Sequence, residues 1–149
     1  MRTATELLQQ HFETFVANQP QWQTLIADDL LWELPFAPSL GHPAQLAGRE
    51  AVLHHVGWFV GAVEQFRFYD LRIHASDSPN EASAEVKAEG IITATGRTYR
   101  QDYVLFVRVK DGKIAFIREY FDPVRAALAL EAPIPGFEVS VLIKEPLRS

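Results

Sequence analysis

The chain contains no cysteine and a single methionine. Disulfides, thiolate metal centres and cysteine nucleophiles are thereby excluded, and the composition fits a reducing, cytoplasmic setting. No apolar run approaches the roughly 18 residues a membrane-spanning helix needs, and no basic patch followed by a continuous apolar stretch marks a secretory signal. Positive charge is also scarce: 14 Lys and Arg stand against 19 Asp and Glu, a net charge of −5. Nucleic acid and anionic membrane surfaces are therefore poor partners. Glycine-rich phosphate loops, Gly-x-Ser-x-Gly elbows and His-x-x-x-His pairs are all missing, and the adjacent His54 and His55 would point in different directions on a helix. Neither a metal nor another cofactor is expected.

What is present is an apolar fraction of 48% over 149 residues, enough for one domain with a substantial core. Thr3–Ala17 repeats Leu8, Phe12, Phe15 and Val16 at helical spacing with Leu7 alongside, and Asn18-Gln19-Pro20 stops that helix. Gln21–Ala27 reads as a short second helix carrying Trp22, Leu25 and Ile26. Leu30–Leu34 is a strand with Leu30, Trp32 and Leu34 on one face and Glu33 on the other; the prolines that follow make a loop. A third helix opens at Gly48-Arg49-Glu50 and runs to about Val63, with Val52, His55, Val56, Phe59 and Val63 on its core stripe. Its Gly57 and Gly61 are read as leaving room for a close approach.

Strands follow at Phe66–Ala75, Glu81–Thr95, Tyr99–Lys110 and Lys113–Phe121, and Pro123 either ends the last of them or opens a short helix to about Leu130. A further short strand is expected at Glu138–Ile143. Helices first and then an antiparallel meander specify an α+β fold, a strongly curved sheet with helices packed on one side.

The most informative stretch is Asp102–Pro123: two apolar strands joined by Asp111-Gly112, a strong hairpin signal. Asp102, Arg118 and Glu119 interrupt it, and a carboxylate buried there must be paired or sit in a pocket. A two-residue loop would set Val104 opposite Glu119 and Asp102 opposite Phe121, so that the two carboxylates share a face. The other face would then carry Tyr103, Leu105, Phe116, Arg118 and Tyr120. A bulged turn would regroup both faces.

Four motifs are similar to the SnoaL-like branch of the nuclear transport factor 2-like superfamily: Trp32–Pro38, Gly48–Val52, Asp111–Ile114 and Arg118–Pro123. Within that branch, His55-Val56-Gly57-Trp58 and Arg118–Asp122 resemble the phenazine-biosynthesis PhzA/PhzB-like proteins, which carry Asn-His where this chain has Gln101-Asp102. The likeness spans roughly residues 5–136, taken as the domain, 1–136, with 137–149 as a C-terminal tail. It implies a cone-shaped curved antiparallel sheet with three N-terminal helices on its concave side, as in ketosteroid isomerases, and a homodimer. It also implies a pocket glutamate at Glu119 and a pocket histidine at His55.

Two carboxylates on an apolar concave face suit general acid–base work, because desolvation and mutual repulsion raise at least one pKa toward neutrality. The candidate catalytic set is Glu119 with His55 and Asp102. Competing roles are an arginine-paired Glu119 and a core His55; Arg118 is read as a paired residue on the sheet face. The candidate ligand wall is Trp32, Phe59, Val104, Phe106, Ile117 and Phe121, with plain core packing as the aromatics' other role. The expected function is cofactor-free acid–base catalysis of isomerase, cyclase or condensation type on an apolar or aromatic carbonyl metabolite. A non-catalytic small-molecule binder is the alternative, and an epoxide hydrolase of limonene type a third, although its Asp-Arg-Asp trio is not evident.

Overall fold

In the computed structural model, which describes residues 1–137, the helix α1 (Ala4–Thr14) begins where Thr3 accepts from the Glu6 amide and donates to its carboxylate, a reciprocal cap. Its buried face is Ala4, Leu7, Leu8 and His11, continued by Phe15 beyond its end. Pro20 does more than end that helix. It sits in the first turn of α2 (Gln19–Gln23), where a missing N–H costs nothing, and Asn18 caps the turn by accepting from the Gln21 amide. The second helix thus begins two residues and ends four residues earlier than expected, leaving Leu25 and Ile26 outside it. Strand β1 (Ile26–Glu33) starts there and runs through Asp28-Asp29 by way of an irregularity between Ile26 and Leu31.

The expected loop contains a short 3-10 helix (Ala37–Leu40) and an edge strand β2 (Gln45–Ala47). Helix α3 (Arg49–Ala62) follows Gly48, whose φ of 90° suits glycine. Gly57 and Gly61 meet no close neighbour: a Cβ built at either would have nothing within 4 Å. The expected close approach is absent because that side of α3 faces outward, with Gly57 and Trp58 both exposed.

The sheet runs β2-β1-β6-β5-β4-β3, with β3 (Val63–Ala75), β4 (Glu81–Ile92), β5 (Thr98–Lys110) and β6 (Lys113–Tyr120). All pairs are antiparallel except β1–β6, where the first strand enters beside the last. Two bulges bend β3, one beside Gln65 and one beside Asp70, both with φ of 53°. Each inserts an extra residue and restores inward phase, so that Phe66, Phe68, Leu71 and Ile73 all reach the core, which unbroken alternation would deny to the last two. Gly90 lies against the first bulge, where a Cβ would stand 3.0 Å from the Phe66 ring and 3.1 Å from its Cα. Opposite β3, the small inner residues Ala82, Ala84 and Ala88 of β4 admit α1.

The β5–β6 hairpin decides where Glu119 points. Its turn is Asp111-Gly112, both with positive φ, and Lys110 pairs with Lys113 as a two-residue loop requires. One step later the register shifts: Val109 faces Ile114, but Arg108 faces Phe116, so Ala115 is an extra residue on β6. Beyond it Phe106 pairs with Arg118, Leu105 with Glu119 and Val104 with Tyr120. The two faces regroup accordingly. Glu119 joins Tyr103, Leu105, Val107 and Ile117 on the inner face, whereas Asp102, Val104, Phe106, Phe116, Arg118 and Tyr120 lie on the outer one. The expected shared face of Asp102 and Glu119 is therefore corrected by one bulged residue.

Helix α4 (Pro123–Leu130) closes the end of the sheet near Tyr99, buries Ala126 and Ala129 with Val63 and Ile92, and is capped by Asp122 on the amides of Val124 and Arg125. No helix among the described residues is long and apolar enough to cross a membrane. The strand expected at 138–143 lies outside the described residues.

Candidate active site

Between the inner face of the sheet, α1, α3 and α4 lies a cavity of two lobes. The outer lobe, about 130 Å³, is bounded by Ala37, Leu46, Trp58, Phe121, Ala126 and Leu130 among others. The inner lobe, about 60 Å³, is boxed by Phe12, Phe15, Trp32, Phe66, Phe68 and Leu105. Leu34, His55, Phe59, Tyr103 and Glu119 line both, so Glu119 and His55 stand at the junction.

Glu119 is held there by β6 and by the bulge at Ala115. Among the described residues its carboxyl has neither a hydrogen-bond partner nor a cation beside it; burial alone pushes its pKa up to about 8. At neutral pH it is mostly a carboxylic acid, with a minor ionised fraction available as a base. His55 comes from the core-facing side of α3. Burial, with smaller contributions from His42 and His54, lowers its pKa, so the imidazole is neutral at pH 7 and offers one donor and one acceptor.

A polar network adjoins the pair. Gln101, 1% exposed, accepts from the Asp122 amide at 2.8 Å and donates to the Asp122 carbonyl at 2.9 Å and the Tyr99 hydroxyl at 3.1 Å. Tyr99 and Tyr103 are hydrogen-bonded to each other at 2.8 Å. Only one of the two hydroxyl protons is used in that bond, and no described residue accepts the other. Both phenols stay protonated: burial pushes Tyr99 up to about 12 and Tyr103 well above its ordinary value. Both tyrosines line the cavity together with Glu119, so the pair has one neutral O–H donor to offer there.

Sequence reasoning missed Tyr99, Gln101 and His11, and put Tyr103 on the wrong face. The signal was available in β5, where Arg100, Asp102, Arg108 and Lys110 alternate strictly with Tyr99, Gln101, Tyr103, Leu105 and Val107. One face holds nearly every charge, and the other is the inside.

Asp102 is tied up outside the cavity. It accepts from Lys87 at 2.9 Å and from Arg125 at 2.7 Å, and these bonds lower its pKa. A wider groove of about 640 Å³ passes over this region, but it is open to solvent and its charges answer one another, Arg97 with Glu131 and Arg100 with Glu89. Of the expected ligand wall, Trp32, Phe59 and Phe121 line the cavity. Ile117 is fully buried in the core instead, and Val104 and Phe106 lie exposed on the outer face, because β5 alternates without a break and gives its inner face to Tyr103, Leu105 and Val107. Arg118 is paired on that outer face, donating to Glu33 at 2.8 Å across the parallel strands. Among the described residues no three His, Asp or Glu side chains come together as a metal site.

The chain is 30% identical over 109 residues to an uncharacterised PhzA/B-like protein of Pseudomonas aeruginosa, covering 73% of this chain and 76% of that one. It is 27% identical over 106 residues to an uncharacterised Bacillus subtilis protein, 71% of each chain. Among solved structures, the phenazine biosynthesis-related protein PhzB2 of P. aeruginosa superposes with a TM-score of 0.72 at 21% identity, covering 89% of this chain and 88% of that one, which shows a shared fold. That fold is the nuclear transport factor 2-like, ketosteroid isomerase-like one. A family model for the SnoaL-like domain matches residues 8–117, well over half the sequence, and the chain therefore belongs to the SnoaL-like family.

Proposed function

We propose that the protein is a cofactor-free acid–base enzyme of isomerase, cyclase or condensation type, acting on an apolar or aromatic carbonyl metabolite. The observation that carries this reading is Glu119: a carboxyl raised to about 8 by burial, unpaired among the described residues, in a cavity that it shares with His55 and the Tyr99–Tyr103 hydroxyls. A structural carboxylate is normally paired, because leaving one bare in an apolar wall costs stability. A catalytic one is tuned toward the working pH.

In this scheme the free hydroxyl proton of the tyrosine pair hydrogen-bonds the substrate carbonyl oxygen. The Glu119 carboxylate takes a proton from the adjacent carbon, and the C–H electron pair moves into the carbonyl to form an enolate stabilised by that O–H. Glu119, now neutral, returns the proton at another carbon in an isomerisation. In a cyclisation or condensation the enolate carbon attacks a second carbonyl, and the proton goes to the new alkoxide. Neutral His55 orients the ligand or relays that proton. Asp102 takes no part, since it lies on the other side of the sheet in ion pairs. Some structural relatives are provisionally named polyketide cyclases, which fits the same chemistry.

The direct test is to follow the Glu119 carboxyl by ¹³C NMR from pH 4 to 10, and to assay exchange of α-protons of ketone probes in deuterated buffer. A midpoint near 8 and exchange abolished in Glu119→Gln support catalysis. A midpoint at the ordinary 4.5, or exchange unchanged in the variant, would leave ligand binding as the function.

We further propose that a second copy of the chain packs on the outer sheet face. Exposed Val104 and Phe106 and half-buried Phe116 and Tyr120, with exposed Phe36 stacked edge-on to Tyr120, form an apolar patch there. Monomers seldom expose such a patch.

A further inference from the structure

Nothing in the acid–base scheme uses His11, yet it is among the most deeply buried polar groups of the chain, 2% exposed on the inner face of α1. Trp22, fully buried, donates its indole N–H to His11 Nδ1 at 2.9 Å. An indole nitrogen only donates, so Nδ1 must be the lone-pair nitrogen of the imidazole. Burial keeps the ring neutral, its pKa pushed down to about 3. The remaining proton therefore sits on Nε2, and no described residue accepts it. Beside this ring, with centroids 6.2 Å apart, lies Trp32. Its Nε1 is the one fully buried side-chain nitrogen or oxygen among the described residues with no hydrogen-bond partner. Both rings line the inner lobe.

An unpaired buried donor costs about 1–3 kcal/mol. Trp32 Nε1 is such a donor, and the His11 Nε2–H beside it has no acceptor among the described residues; the two make sense together if an acceptor arrives to satisfy them. The lobe also limits what that acceptor can be. The titratable groups facing it are His11, His55, Tyr103 and Glu119, and none brings a positive charge at neutral pH. A carboxylate placed there would be buried without a counter-charge, whereas an uncharged oxygen would not.

We propose that the inner lobe is a subsite for an uncharged hydrogen-bond acceptor of the ligand, a ketone, ester or amide oxygen, with His11 Nε2–H and Trp32 Nε1–H as its donors and Trp22 as the residue that fixes the His11 tautomer. It rests on the reading of the cavity as a small-molecule pocket and adds which end of the ligand lies deepest. His11 and Trp32 are specificity residues in this arrangement, and Trp22 is a positioning residue.

The test uses the full chain, ¹⁵N-labelled, and three probes of similar shape: acetophenone, α-methylstyrene, in which a methylene replaces the carbonyl oxygen, and benzoate. The free protein should show the Nε2–H tautomer of His11. Acetophenone should move the His11 Nε2–H and Trp32 Nε1–H resonances and bind about tenfold tighter than α-methylstyrene, the worth of one good hydrogen bond. Benzoate should bind weakest. The double variant His11→Phe/Trp22→Phe removes both partners of the buried bond and orphans neither, and in it, with Trp32 Nε1–H as the one donor left, the preference for acetophenone should fall severalfold. Should that variant fail to fold, the tautomer and the probe shifts of the natural chain decide. An Nδ1–H tautomer, equal binding of acetophenone and α-methylstyrene, or a preference undiminished by the double substitution would overturn the subsite. If acetophenone perturbs Glu119 and Tyr103 but leaves His11 and Trp32 unmoved, the subsite is wrong and the acid–base pocket stands. If no probe perturbs any cavity residue, both readings fall.

Discussion

Glu119 stands opposite Leu105 on the neighbouring strand, one residue away from the Val104 that a regular hairpin would set against it. That single step carries its carboxyl from the charged outer face into the cavity. The extra residue responsible is Ala115, between the turn and the functional half of β6.

Deleting Ala115 should therefore reverse the faces of Phe116–Tyr120. Glu119 would be driven outward, and Arg118 inward among apolar side chains, which a buried unpaired cation makes costly. The expected outcome is loss of the native fold, read as a collapsed amide NMR spectrum or a lowered melting temperature. A variant that keeps the wild-type spectrum and the raised Glu119 pKa would show that the bulge does not set the register.

Glu119→Gln should be more stable than the natural chain, and the gain should depend on pH. The unfolded carboxyl titrates near 4.5 and the folded one near 8. Below 4.5 both states are protonated and Glu119 costs nothing through ionisation. As pH rises toward 8 the unfolded chain loses its proton and the folded one keeps it, so stability drains away and the full loss is reached above 8. The variant's advantage should therefore be near zero at pH 4 and several kcal/mol, on the order of 5, at pH 9. Urea denaturation at the two pH values measures it; an advantage independent of pH would contradict a raised pKa.

His11 gives the opposite slope. Its folded pKa lies near 3, so the unfolded chain takes up a proton first as the solution is acidified. Stability should be complete above about 6.5 and fall progressively between there and pH 3. In His11→Phe/Trp22→Phe this part of the acid sensitivity should disappear, as denaturant midpoints taken across that range would reveal.

Two glycines should respond in opposite senses to alanine. At Gly90 the new methyl would press on the Phe66 ring and backbone at the β3 bulge, costing about 1–3 kcal/mol. At Gly57, exposed and inside α3 with nothing within 4 Å, alanine should stabilise by up to about 1 kcal/mol through helix propensity. Thermal melts of the two single variants provide the check.

On the outer face, Phe106 is 44% exposed beside Tyr120. If a second copy covers it, Phe106→Glu should yield monomers at micromolar concentration in sedimentation experiments, with the cavity's ligand binding retained. A natural chain that already sediments as a monomer would remove the dimer from the reading.

Much of this molecule is determined by its sequence alone. Period-2 alternation in β4 and β5, the Asp111-Gly112 turn, the capped α1 and the proline-opened α4 are local signals, because helix caps, turns and pleats depend on residues a few positions apart. Glu119 and His55 were also legible, the first as a carboxylate in an apolar strand and the second on the core stripe of a helix. What only the tertiary structure decided is phase. A bulge at Ala115, and those beside Gln65 and Asp70, insert residues that no local pattern announces, since alanine, glutamine and aspartate carry no obligatory turn chemistry. Their positions are set by which side chains the assembled core can accept. For that reason Glu119 parts from Asp102 and joins Tyr103 on the inner face, and the His11–Trp22–Trp32 cluster, brought together from two helices and a strand, became visible only in three dimensions.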